Sequence, residues 1–378
     1  MKEFIIKIRN TIIGTLYKFI LKPFFFRKDP EDVHDHMIKF GSLLGRFKLT
    51  QFLTRLFFDY KNNILQQELG GITFINPIGL SAGFDKNAEL TRILPSVGFG
   101  FAELGSITGK PCEGNPKPRL WRLPHSKSLV VYYGLKNQGC EVISKRLSSE
   151  LEDKKFLLPF GMSVAMTNCQ ANLDIQNAIN DYVHAFKIML PLGSYVTINI
   201  SCPNAQGGQP FIDPLKLELL LSSLDQIPRN KPVFIKLSPD LETQELDAII
   251  SVAKKHKVDG IICTNLTKKR TGVSRYDHEV PKQGGLSGKV VQDKGDAMLS
   301  YIYQKEGKRF ILIGSGGVFS AQDAYRKIRL GASLVQVLTG MIFEGPQLIS
   351  TINQELAVLL KRDGFKNIKD AIGVDNKI

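Results

Sequence analysis

Metal and disulfide chemistry are what this chain of 378 residues is least equipped for. Its cysteines, Cys112, Cys140, Cys169, Cys202 and Cys263, are odd in number and contain no CxxC pair. Neither a disulfide framework nor a zinc site is indicated, which points to a reducing compartment. The six histidines are scattered without HExxH spacing, so no metal is expected. No uninterrupted apolar run reaches the roughly 18 residues a membrane span needs. No small-residue cleavage site follows the N-terminal segment to mark a secretory signal. No Pro-, Gly- or Ser-rich linker divides residues 60–360, which argues for one catalytic domain. With 43% hydrophobic and 23% charged residues, the chain has the composition of a globular protein with a sizeable core.

What is present in excess is positive charge, +14 overall. Residues 1–28 hold Lys2, Lys7, Arg9, Lys18, Lys22, Arg27 and Lys28 against Glu3 alone, a net of +6. Wound as a helix, this segment places Ile5, Ile8, Ile12, Leu16, Phe19 and Ile20 on one face and Lys7, Lys18 and Lys22 opposite, with Lys2 and Arg9 interrupting the pattern. Such a segment fits an interfacial helix on an anionic membrane, a peripheral attachment rather than a span; the plain alternative is a solvated lysine-rich surface. A second helix is predicted from Asp29-Pro30-Glu31, an N-cap followed by proline at the first helical position, with Val33, Met37, Phe40 and Leu44 and a break at Gly45. A third follows with Leu49, Phe52, Leu53, Leu56 and Phe57. The expected organisation is a basic amphipathic segment over 1–28, a helical extension over 29–60 that either caps the main domain or walls an apolar entrance, and the main domain over 61–378.

Beyond residue 60, short β-rich runs alternate with helical stretches, the pattern of a parallel sheet. There are eight: Pro77–Ala82, Gly100–Gly105, Gly161–Ala165, Tyr195–Ile200, Val233–Leu237, Gly260–Cys263, Phe310–Gly314 and Leu334–Leu338. Eight predict a closed TIM (β/α)8 barrel, with an insertion over its mouth between the second and third.

A TIM barrel carries its active site at the C-terminal ends of its strands. Those ends read Ser81-Ala82-Gly83 with Asp85 and Lys86, Ser106, Asn199 through Asn204, Lys236, Thr264-Asn265, Gly314-Ser315-Gly316-Gly317 and Thr339-Gly340. Glycines after the seventh and eighth strands occupy the place where barrels bind phosphate through free backbone N–H groups. Lys236, inside an apolar run, is a cation beside an electron-rich ring, a Schiff-base lysine, or the partner of a carboxylate such as Asp240. Cys202, in a polar loop between asparagines, is suited to act as a base or nucleophile.

These residues resemble those of the dihydroorotate dehydrogenases. Ser81 through Asn87, Gly114-Asn115-Pro116-Lys117-Pro118-Arg119-Leu120, Asn199 through Asn204, Gly284 through Gly288, Gly314 through Gly317 and Gly331 through Gln336 carry the likeness, in order, from about Leu16 to near the C-terminus. The N-terminal helices and Asp29-Pro30-Glu31 match the membrane-associated, quinone-using class 2. The resemblance implies an FMN held by Ala82, Gly83, Ser106, Asn199, Lys236, Thr264, Gly288, Gly316, Gly317, Thr339 and Gly340. It implies dihydroorotate against Lys86, Asn199, Asn204 and Asn265, Cys202 as the base at C5, and hydride transfer from C6 to the flavin, with Lys236 stabilising the reduced ring. A membrane quinone would reoxidise the flavin through the helices of residues 30–59, at the cytoplasmic face of the cell membrane. The pattern also departs from the family. Cys202 stands where the quinone class usually has serine. Val131 and Leu135 replace an asparagine and a phenylalanine, Ala205 and Leu266 replace threonines, and Ser163 and Leu338 replace an asparagine and a tyrosine near the flavin. Two rival expectations are an FMN barrel of the tRNA dihydrouridine synthase kind, for which +14 would suit RNA, and a flavin-binding relic without turnover. The basic charge sits in a greasy N-terminus and no helical RNA-binding domain follows the barrel, so a nucleic-acid partner is not expected.

Overall fold

A computed structural model describes residues 2–153 and 156–376. Eight strands form the barrel: β1 (Ile78–Leu80), β2 (Phe101–Ile107), β3 (Phe160–Val164), β4 (Tyr195–Asn199), β5 (Val233–Leu237), β6 (Gly260–Cys263), β7 (Ile311–Ser315) and β8 (Leu334–Val337). One falls within or across each expected run. All neighbours pair in parallel, and β8 returns to β1 through Val335 opposite Ile78, so the barrel closes without an edge. The predicted (β/α)8 fold is present.

The barrel interior is filled in layers by side chains of alternating parity. At the N-terminal end Phe101, Tyr195, Phe234, Ile262, Ile313 and Leu334 form an apolar plug, joined by Phe74 from the antiparallel hairpin of Gln67–Leu69 and Ile72–Phe74. Large residues meet glycines across this layer. A Cβ on Gly79 would lie 2.3 Å from the Phe101 ring, and on Gly161 2.1 Å from Tyr195. One layer up the lining turns polar, with Glu103, Thr197 and Gln336 all buried. Above that lie Ser106, Ser163, Asn199, Lys236 and Ser315. The gradient from plug to polar mouth directs ligand chemistry to the C-terminal end.

Over that end sits a three-stranded antiparallel sheet, Leu120–Leu123, Ser128–Val131 and Gly285–Gly288. Its first two strands come from the long β2–β3 interval, as expected. The third comes from the β6–β7 connection.

The N-terminal region comprises α1 (Lys2–Leu16), a π turn (Tyr17–Leu21), α2 (Lys22–Phe26), α3 (Pro30–Arg46) and α4 (Lys48–Phe58). Asp29 caps α3, its carboxylate accepting from the N–H groups of Glu31 (2.9 Å) and Asp32 (3.1 Å). The break expected at Gly45 is displaced. The helix runs through Arg46, and Phe47 turns extended. Gly45 serves close packing instead, since a Cβ there would lie 3.1 Å from Arg92 Cβ and 3.3 Å from Ile93 N.

α1 buries Ile6 and Asn10, not its apolar stripe, and rests on the helix Leu348–Arg362. Ile5, Ile8, Ile12, Leu16, Phe19 and Ile20 are all exposed, as are Phe40, Leu49, Phe52, Leu56 and Phe57 on α3 and α4. Arg9, which interrupted the stripe, fastens α1 down: its guanidinium donates to Leu56 O (2.8 Å), Asp59 O (3.2 Å) and Ser350 Oγ (2.6 Å). Among the described residues no helix is long and apolar enough to cross a membrane.

Candidate active site

The strand ends open into one cavity roofed by the three-stranded sheet and closed at one side by α3. Ala82, Gly83, Lys86, Ser106, Asn199, Cys202, Asn204, Lys236, Thr264, Asn265, Gly288, Gly316, Gly317, Thr339 and Gly340 all line it. Every residue the sequence offered for holding cofactor or substrate therefore borders a common space, whereas Asp85, also at a strand end, is buried outside it and accepts from the N–H groups of Glu89 and Leu90, both at 2.8 Å. The cavity also includes residues to which the sequence gave no role: His34 on α3, Leu129, Tyr133 and Ile342, together with Phe84 and Leu120 from the quoted motifs. One signal for His34 was available, because Glu31 and His34 are one turn apart on α3 and so share a face.

Two loops supply its phosphate-sized end. Gly316 and Gly317 have φ of +93° and +73°, and Thr339 begins a short helix whose first N–H groups lack intrahelical acceptors. A Cβ at Gly340 would lie 2.0 Å from Val318 O, and at Gly317 2.4 Å from Gln292 Cβ. Backbone can approach an anion here because side chains are sterically forbidden. Gly83, at φ +102°, has only Leu338 Cδ1 at 4.0 Å from where a Cβ would stand, so a side chain would project into the cavity.

The ring-sized middle is lined by donors. Asn199 Nδ2 donates to Ser106 Oγ (2.8 Å), which is 2.8 Å from Ser163 Oγ. Asn265 Nδ2 donates to Asn199 Oδ1 (3.2 Å) and Ser201 O (2.9 Å). Lys236 is buried and its ammonium donates to Ser81 Oγ at 3.3 Å. Its pairing with Asp240 does not occur: Asp240 is already bound by Lys294 (2.8 Å), Thr267 and the Lys268 N–H. Backbone N–H groups, a buried cation and a cradle without side chains fit a phosphate joined to a flat heterocycle with carbonyl edges, which is a flavin mononucleotide's chemistry.

At the far end Lys86 lies 4.0 Å above the Tyr133 ring, and burial lowers its pKa to about 8. Burial pushes the Cys202 thiol up to about 11, although the N–H groups of Asn204 and Ala205 oppose the shift. Asn204 Nδ2 donates to Val131 O (2.8 Å). Val131, Leu135 and Leu266 give this end an apolar wall, and Leu338 lies on the opposite side by Gly83.

α3 is locked to the cavity rim by a buried carboxylate. Glu31 accepts from Arg119 Nη2 (2.8 Å) and Nε (3.0 Å) and from Lys136 Nζ (3.2 Å). Burial alone would raise its pKa; the hydrogen bonds from Arg119 and Lys136 lower it overall. His34 follows on the same helix, with Nε2 2.8 Å from Phe84 O.

Residues 64–360 match the family model for dihydroorotate dehydrogenase. A dihydroorotate dehydrogenase (quinone) of Nostoc punctiforme is 36% identical over 374 residues, covering 96% of this chain and 99% of its own. The enzyme of the same description from Sulfurimonas denitrificans is 38% identical, covering 94% and 98%. A crystal structure of DHODH from Eimeria tenella in complex with ferulenol superposes with a TM-score of 0.82 at 30% identity, covering 93% of this chain and 96% of that one. With a barrel of the right topology, a cavity whose lining fits a flavin and relatives matching over nearly their whole length, the chain belongs to the dihydroorotate dehydrogenase family, flavin-dependent oxidoreductases of pyrimidine biosynthesis.

Proposed function

We propose that this protein oxidises (S)-dihydroorotate to orotate on a bound FMN and passes the electrons to a membrane quinone. The observation that carries the reading is the gathering of Cys202, Lys86 and Lys236 in one cavity whose glycine loops leave room for a phosphate. Bound FMN supplies the hydride acceptor, and the chain's residues do the rest.

Lys86 holds the substrate carboxylate, an assignment supported by its burial beside Tyr133 with no acidic residue lining the cavity. Asn199, Asn204 and Asn265 orient the ring through its amide edges. Cys202 takes the C5 proton onto sulfur, so the thiolate is the working form. Lys236 would stand beside the flavin ring and offset the negative charge of its reduced form. Gly316, Gly317, Thr339 and Gly340 would hold the phosphate; Ala82, Gly83, Ser106, Thr264 and Gly288 would line the ring's place.

The exposed apolar faces of α1, α3 and α4, with the cations of residues 1–28 around them, support peripheral docking on an anionic membrane. α3 turns Met37 and Phe40 outward and His34 inward to the cavity, which supports quinone access between α3 and the barrel. The cytoplasmic face of the cell membrane is the location consistent with unpaired cysteines.

The test is anaerobic mixing of L-dihydroorotate with the flavin-loaded protein. Bleaching of the yellow oxidised flavin, followed by its return on adding a short-chain quinone, is the expected outcome. A yellow protein that dihydroorotate does not bleach rejects the proposal and points to a less polar reduced substrate against Val131, Leu135 and Leu266.

A further inference from the structure

The eight barrel strands carry two charged side chains between them, Glu103 on β2 and Lys236 on β5. Both point inward, sharing parity with Phe101 and Phe234 of the apolar plug. Lys236 opens onto the cavity. Glu103 does not: it is fully buried in the layer beneath and touches nothing that reacts. A carboxylate in such a place is costly unless it does something for the site above it.

The two charges are joined by a relay rather than a direct pair. Lys236 Nζ donates to Ser81 Oγ (3.3 Å), Ser81 donates to Gln336 Oε1 (3.3 Å), and Gln336 Nε2 donates to Glu103 Oε2 (2.9 Å). Thr197 Oγ1 adds a second donor to the same oxygen at 3.2 Å, while Oε1 has no partner. Every link runs the same way, from a group that only donates to a group that, when ionised, only accepts. A one-way chain of this kind polarises along its length and fits an ammonium at one end and a carboxylate at the other. Burial pushes Glu103 up and Lys236 down; the attraction between them works against both shifts. The other titratable group facing Glu103 is Tyr195, whose burial holds it un-ionised.

We propose that Glu103 is a positioning residue for flavin reduction: through Gln336 and Ser81 its carboxylate holds Lys236 as an ammonium ion before any electron arrives. The proposal rests on the reading of the cavity as an FMN site. Hydride arrival gives the ring one hydrogen and one negative charge. With Lys236 already charged, that negative charge meets its counter-ion and no further proton is needed. Without Glu103, Lys236 is neutral in the oxidised protein and takes a proton from solvent as the ring is reduced.

The experiment is the flavin midpoint potential as a function of pH between roughly 6 and 9, whose slope counts protons taken up per electron pair. The wild-type holoprotein is expected to take up one proton per pair throughout. Glu103→Gln, which preserves volume and the relay's final acceptor, is expected to take up two over part of that range. A Glu103→Gln slope identical to wild type overturns the proposal. So does a wild type that already takes up two near neutral pH, a result that needs no variant to fold. Lys236→Met separates the two readings. A potential unmoved by that change shows that the ammonium is not beside the flavin and removes the site assignment itself. A moved potential with Glu103→Gln behaving as wild type removes the Glu103 role alone.

Discussion

In the proposed mechanism the rate depends on Cys202 as the base, and the surroundings of its thiol set a pH signature. A thiol pushed up to about 11 is a thiolate in only a small fraction of molecules at neutral pH. Below that value the thiolate fraction rises about tenfold per pH unit. Flavin reduction by dihydroorotate, followed by stopped-flow absorbance, is therefore expected to accelerate steadily through pH 9. As the proposed partner of the substrate carboxylate, Lys86 is expected to impose the opposite slope on binding. Burial lowers its pKa to about 8, so its ammonium is lost above that pH and substrate affinity is expected to weaken as the chemical step quickens. Cys202→Ala is expected to stay yellow and to lose the pH-dependent phase, slowing reduction by orders of magnitude. A pH-independent wild-type rate, or a Cys202→Ala rate equal to wild type, removes Cys202 as the base.

α3 is held by chemistry that propensity does not reveal. Its amphipathic pattern predicts a helix lying on something, and Ile38 and Leu44 do pack on the core while Phe40 and Met37 face outward. The Glu31–Arg119 pair adds a polar hold at the start of the helix. Both side chains are buried, and Arg119 also donates to Glu113 O (2.8 Å) and Asn115 O (2.7 Å), so one guanidinium fixes the helix start to the loop before the three-stranded sheet. Glu31→Ala leaves that guanidinium buried without its carboxylate, an arrangement that costs roughly 3–5 kcal/mol. Urea unfolding of the variant against wild type measures it. A loss under about 1 kcal/mol, the range of an exposed pair, would show the bond to be incidental.

The whole molecule presents one greasy side. α1 turns Ile5, Ile8 and Ile12 outward because Arg9 and Asn10 dock its other face, helped by Tyr17 of the following π turn, whose hydroxyl donates to Ile342 O at 2.6 Å. Ile8 and Ile12 are exposed, so Ile8→Glu with Ile12→Glu is expected to leave the melting temperature unchanged. Sedimentation with anionic vesicles should weaken tenfold or more, since each isoleucine buried in the interface contributes roughly 1.5–3 kcal/mol. The binding that remains should fall with added salt. Undiminished vesicle binding by the double variant would reject the apolar face as the docking surface.

Strand number, barrel closure and the residues at the strand ends were legible in the chain, because β-rich runs and their polar termini are local patterns with a fixed period. The helix start at Asp29 was legible for the same reason: a cap is written within four residues. Other features depend on partners distant in sequence. Gly45 looked like a stop and is a packing contact with Ile93, which no window around residue 45 contains. Arg9 looked like a flaw in an amphipathic stripe and is a bolt to carbonyls fifty residues away. His34, Tyr133 and Glu103 carried no motif, since their meaning comes from which strands and helices enclose them. Periodicity along the chain determined the fold and most of the cavity's lining. Burial and charge pairing across the barrel, which exist only once the ends of the chain have met, determined how that lining is held and tuned.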